Sequence, residues 1–102
     1  MKQIYNKLVR DKIPNIIKNN GGEPYTRILS NEEYIKELKK KLIEECNEVI
    51  SAKTKEDTLE ELADTFEVVR SLAKALGYSY ENLIDEAENK ATKRGGFNKK
   101  IF

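Results

Sequence analysis

Apolar residues at Ile35, Leu38, Leu42 and Val49 recur at three- and four-residue intervals, the period of an α-helix with one face turned inward. One slot in that register breaks the pattern, because the position between Leu42 and Val49 is Glu45. A core position carries a carboxylate. Glu48 stands at the margin of the same stripe one turn on, while Lys36, Lys39 and Lys40 fall on other directions of the wheel. A second stretch has Leu59, Leu62, Phe66, Val69, Ala73 and Leu76 as its expected inward face. It also has a second apolar strip, Val68, Leu72 and Ala75, with Glu61 and Asp64 at its head. A helix apolar on two sides must be covered on both, which predicts a partner subunit.

Punctuation along the chain marks the elements. Ser30 followed by Glu33 reads as a capping box opening a helix that runs to about Ala52. Thr54 can cap a second helix over about 55–76, stopped by Gly77, and Ser79 a third over about 80–93, ahead of Gly95-Gly96. Upstream, residues 1–14 start extended and turn into a short helix near Asp11, with Pro14 in its first turn, ending at Asn20-Gly21-Gly22. Glu23 to Leu29 reads as a short extended segment in which Pro24 argues against a central strand. Short connections between long helices imply antiparallel neighbours. The expected fold is one all-α domain over residues 1–102: an antiparallel helical bundle with a short N-terminal extended segment, completed by oligomerisation.

Charge alters this picture more by placement than by amount. Nineteen Lys and Arg against 18 Asp and Glu leave a net charge of +1, which gives no general case for nucleic-acid or membrane binding. Acidic side chains nevertheless concentrate between Glu44 and Glu67, and basic ones at Lys2 to Lys18 and Lys90 to Lys100. An acidic centre flanked by cationic termini suits a small polyanion. No stretch approaches the roughly 20 apolar residues of a membrane span, and the N-terminus lacks a signal-peptide core. The single Cys46 argues against a disulfide framework, fits a reducing cytoplasm, and is expected as a small buried hydrophobe rather than a nucleophile.

The candidate chemistry lies in Glu45 and Glu48 on one helix and Glu61 and Asp64 on the next. A spacing of three puts each pair on neighbouring positions of one face. Burying ionised carboxylates together costs several kcal/mol per ion and raises their pKa values, and divalent cations remove both penalties. Oxygen ligands without histidine, and with one cysteine, suit Mg²⁺ or Mn²⁺ and not zinc. In the third long helix, Leu83, Ile84, Ala87 and Ala91 form an inner face that Lys90 and Arg94 extend. Those cations either complement the helix dipole or reach phosphate oxygens, with Gly95 and Gly96 giving backbone donors access. Phe97 covers a base or merely packs. Lys7 and Arg10 are candidates to complete a triphosphate clamp, and Asn6 and Tyr5 to meet base or sugar; a solvated terminal arm explains these four equally well.

The arrangement Glu44-Glu45-x-x-Glu48, twelve residues, Glu61-x-x-Asp64 resembles the signature of the all-α nucleoside triphosphate pyrophosphohydrolases, the MazG and phosphoribosyl-ATP pyrophosphohydrolase superfamily. The opening Tyr5-Asn-Lys-Leu-Val-Arg-Asp-Lys-Ile-Pro14 and the closing Lys93-Arg-Gly-Gly-Phe97 are similar to its small house-cleaning subgroup. That resemblance implies Mg²⁺-dependent hydrolysis of a nucleoside triphosphate to monophosphate and pyrophosphate. It also implies Glu45, Glu48, Glu61 and Asp64 as metal ligands, Lys90 and Arg94 as phosphate ligands, and a homodimer or homotetramer. Glu44 is the candidate to orient the attacking water or hold a further ion, although its wheel position leans away from the stripe. The alternative is a non-catalytic helical oligomer that binds a divalent cation or senses a nucleotide. Nothing in the sequence selects which nucleotide is the substrate.

Overall fold

The computed structural model describes residues 6–102, so Tyr5 lies outside the described residues. Four helices follow one another: α1 (Ile13–Asn19), α2 (Asn31–Ser51), α3 (Lys55–Ala75) and α4 (Tyr80–Arg94), with no strand among the described residues. The all-α class expected from periodicity is observed. The Glu23 to Leu29 segment carries no regular structure.

Side chains with a free oxygen start the long helices by accepting otherwise unpartnered N–H groups. Ser30 Oγ accepts from the Glu33 N–H at 3.2 Å, and Thr54 Oγ1 from the Asp57 N–H at 3.0 Å. Ser79 and Asn82 satisfy each other reciprocally, both bonds being 3.0 Å. The end of α3 is equally well defined. Gly77 adopts φ +93°, a conformation that glycine enters without a Cβ penalty. The N–H groups of Gly77 and Tyr78 then close onto the Lys74 and Ala73 carbonyls, each at 3.0 Å, in a Schellman arrangement.

Two 21-residue helices joined by Ala52-Lys53-Thr54 have to fold back on each other. The hairpin is confirmed at its open end, where Asn31 Nδ2 approaches the Ala75 carbonyl at 3.5 Å. Leu38 of α2 and Val68 of α3 are the buried centre of this pair. Ile35, Leu42, Glu45 and Val49 are half-buried around it, as the α2 register predicts.

Of the α3 face expected to point inward, Val69 and Ala73 are half-buried and the other four residues are turned outward. Leu59 is 68% exposed, Leu62 49%, Phe66 45% and Leu76 53%, whereas Val68 is buried and Leu72 and Ala75 are half-buried. Both strips have helical period, so periodicity alone does not rank them. The smaller strip is the one covered, with Glu61 and Asp64 beside Glu45. Phe66 gains partial cover from Tyr80 of α4, ring centroids 5.9 Å apart in an edge-on contact.

The expected bundle is therefore only partly closed. α4 packs on α3, and α1 packs on no other helix among the described residues. The radius of gyration is 16.9 Å, against about 13 Å for a compact chain of this length. The accessible surface of 9358 Å² likewise exceeds the roughly 5,900 Å² of a compact monomer of this mass. Cys46 is exposed, correcting the expectation of a buried thiol; it follows Glu45 by one residue and so points about 100° away around the helix. Among the described residues no helix is long and apolar enough to cross a membrane.

Candidate metal centre

Glu45 projects from α2 between the turns that carry Leu42 and Val49, and Glu61 and Asp64 project from the first half of α3. The hairpin brings one oxygen from each of the three within 4.8 Å of the others. Glu45 is the most enclosed, its side chain only 12% exposed, and Asp64 is 44% exposed. Glu48, the fourth expected ligand, is exposed and stands outside this close group. It borders a cleft of about 280 Å³ with Glu61, Ser51, Lys53 and Asp57.

Desolvation, reinforced by neighbouring carboxylates, sets the protonation of two of these groups. Partial burial pushes the Glu45 carboxyl above its ordinary value; Lys41 opposes that shift, while Asp64, Glu44 and Glu48 reinforce it. Glu61 is also raised, by desolvation and then by the charges of Glu48, Asp64 and Glu45. Glu48 thus acts on both neighbours without entering their immediate contact. Glu44 behaves oppositely, because the hydrogen bond from Lys7 and the charge of Lys41 hold it below its ordinary value despite desolvation.

Two cations expected to clamp phosphates instead lie on the carboxylates. Lys7 Nζ donates to Glu44 Oε1 at 2.9 Å, and Arg10 Nη2 to Asp64 Oδ1 at 2.7 Å. Lys90 and Arg94 are exposed at the end of α4, and no ion pair or hydrogen bond joins them to the carboxylates among the described residues. Asn6 and Phe97 are exposed as well.

Lys41 is the residue that pattern reading missed. Its side chain is only 19% exposed, with Nζ 3.4 Å from Glu44 Oε2 and 3.8 Å from Glu45 Oε1. The signal was present, since Lys41 precedes Glu44 and Glu45 by three and four residues, the spacings of helical neighbours.

The donor set fits a hard cation. Three carboxylates from two rigid helices offer oxygen only, the preference of Mg²⁺ and Mn²⁺. Adjacent ligand oxygens on an octahedral ion at about 2.1 Å lie about 3 Å apart, so the three side chains need to close by less than about 2 Å, within the reach of rotamer changes.

An all-α hairpin presenting clustered carboxylates from its two facing helices is the class that fold and site define. The family model described as phosphoribosyl-ATP pyrophosphohydrolase matches residues 7–91, and the chain belongs to that family. The matched span includes all four carboxylates together with Lys7, Arg10, Lys41 and Lys90, and ends short of Arg94. An uncharacterised protein of Mycolicibacterium smegmatis (strain ATCC 700084 / mc(2)155) is 44% identical over 54 residues, 53% of this chain and 55% of that protein. The match thus spans about half the length of this relative. No solved structure gives a significant match.

Proposed function

We propose that the chain hydrolyses a nucleoside triphosphate, or a related nucleotide, to the monophosphate and pyrophosphate, in a cytoplasmic nucleotide-pool house-cleaning role. The observation that carries this reading is the convergence of Glu45, Glu61 and Asp64 in a member of a pyrophosphohydrolase family.

Glu45, Glu61 and Asp64 hold Mg²⁺, with Mn²⁺ as a substitute, and Glu48 reaches in from the cleft edge as the fourth ligand. Such an ion, when bound, neutralises phosphate charge and makes a coordinated water more acidic. The protein's remaining task is positioning, as is usual in phosphoryl chemistry. Glu44 suits the orienting of a water, because the hydrogen bond from Lys7 keeps it ionised and accepting. Lys90 and Arg94, exposed and without carboxylate partners among the described residues, serve a polyanion as phosphate ligands. The cleft of about 280 Å³ is small beside the 300–1,000 Å³ usual for ligand sites. The exposed α3 residues Leu59, Leu62 and Phe66 call for a second copy, which makes the active species a homodimer or homotetramer.

The test is incubation with Mg²⁺ and a panel of ordinary and modified nucleoside triphosphates, with products followed by phosphorus NMR. Pyrophosphate plus monophosphate, absent with Glu48→Gln, is the expected result. Intact nucleotides throughout, with stability that still depends on Mg²⁺, would favour a non-catalytic cation-binding or nucleotide-sensing oligomer.

A further inference from the structure

Lys7 and Arg10 sit three residues apart on irregular backbone, yet their partners belong to different helices: Glu44 on α2 and Asp64 on α3, 37 and 54 residues away in sequence. The segment therefore crosses from one helix of the hairpin to the other at the level of the carboxylate cluster. Arg10 takes Asp64 Oδ1 at 2.7 Å, and Asp64 is one of the three groups whose oxygens converge. The guanidinium supplies there the positive charge that a cation would otherwise provide.

We propose that residues 7–10 form an electrostatic strap that a divalent cation displaces, so that Arg10 passes from Asp64 to the bound polyanion. This rests on the reading of Glu45, Glu61 and Asp64 as metal ligands. The Asp64 carboxylate has one negative charge to share, and a guanidinium and a divalent ion brought to it together repel each other. Asp64 is also too exposed, at 44%, for the pair to be locked, Arg10 being 58% exposed. Exposed ion pairs are weak, and a divalent ion in an oxygen cluster outcompetes one. Arg10 alone leaves its partner: Lys7 stays on Glu44 at 2.9 Å, outside the converging group, so Arg10 remains within three residues of the site, and its planar fork matches a phosphate. Ion and polyanion then favour each other's binding through Arg10, a coupling that by linkage runs in both directions.

Calorimetric titration with Mn²⁺ alone, without nucleotide, compares the wild-type chain with Arg10→Gln and Lys7→Gln. Hydrogen exchange of the amides of residues 7–13 is followed in wild type with and without Mn²⁺. Arg10→Gln is expected to bind Mn²⁺ roughly two- to fivefold more tightly, the equivalent of one exposed ion pair. Lys7→Gln, whose partner is outside the converging group, is expected to change less. Mn²⁺ is expected to speed exchange at Ile13, whose N–H donates to the Arg10 carbonyl at 3.0 Å. Equal Mn²⁺ affinity in wild type and Arg10→Gln, with unchanged exchange, would overturn the strap while leaving the metal site standing. Absence of Mn²⁺ binding in all three chains would overturn the metal site and the strap with it.

Discussion

Lys41 Nζ lies 3.8 Å from Glu45 Oε1 and 3.4 Å from Glu44 Oε2, on a side chain only 19% exposed. It is the best-shielded cation paired to the carboxylates, one helical turn from the group they surround. Its charge offsets the burial that raises Glu45, so it stabilises the hairpin before any ion is bound.

Lys41→Met keeps the stem's packing and removes the charge. The chain in a chelator is expected to lose about 1 kcal/mol of stability, between the values for exposed and fully buried pairs. Most of that loss should return on adding Mn²⁺. Urea unfolding with and without the ion measures both, and an equal loss in the two conditions would show that the Lys41 charge does not act through the carboxylate site.

Protonation of the site gives a second prediction with a definite sign. The Glu45 carboxyl is raised above the ordinary value of 4.5, so its contribution to folding is fully present below 4.5 and is lost as pH rises through its folded value. Glutamine mimics the protonated form. In a chelator, Glu45→Gln should therefore be more stable than wild type at pH 7, and the difference should shrink as pH falls toward 4.5. Glu44, held below 4.5, contributes in the opposite sense: its stabilisation is present above 4.5 and is lost as pH falls through its own lower value. Comparing Glu45→Gln with wild type at each pH leaves Glu44 the same on both sides. A difference that grows on acidification would contradict the assigned direction.

The outward face of α3 predicts association. Leu59, Leu62 and Phe66 occupy one side of the helix at 45–68% exposure, and burying such side chains is worth about 1.5–3 kcal/mol each when complete. Leu62→Lys should shift the chain toward monomer in analytical ultracentrifugation while leaving its far-ultraviolet helical signal largely intact. A wild-type chain that sediments as a monomer at micromolar concentration would remove the partner subunit from the account.

Much of this architecture is legible in the residues, for reasons that differ from place to place. Ser30, Thr54 and Ser79 announce helix starts because a cap is a local interaction, decided within three residues. Glu45 was recognisable as an enclosed carboxylate because it interrupts a single unambiguous register. On α3 two strips share one period, and only docking onto α2 shows that Val68, not Phe66, faces inward. The pairing of Arg10 with Asp64 spans 54 residues and leaves no periodic trace. Lys41 was readable at i, i+3 and i, i+4, but an isolated lysine in a lysine-rich turn carries little weight until its neighbours' burial is known. Glu48 shares the spacing of a ligand, yet its exposed position and its absence from the converging three emerge only once α2 and α3 are docked.

The most direct test of the metal-dependent reaction is the rate of pyrophosphate release from a nucleoside triphosphate substrate, measured against Mg²⁺ concentration in wild type and Glu61→Gln. Glu61 belongs to the converging group and borders the cleft, so it serves both parts of the claim. A rate that saturates with Mg²⁺ and falls by about 10²–10³-fold in Glu61→Gln, the scale expected when a transition-state charge loses its stabilisation, is the predicted result. Release that ignores Mg²⁺, or that survives the substitution, would contradict a carboxylate-held metal centre as the source of activity.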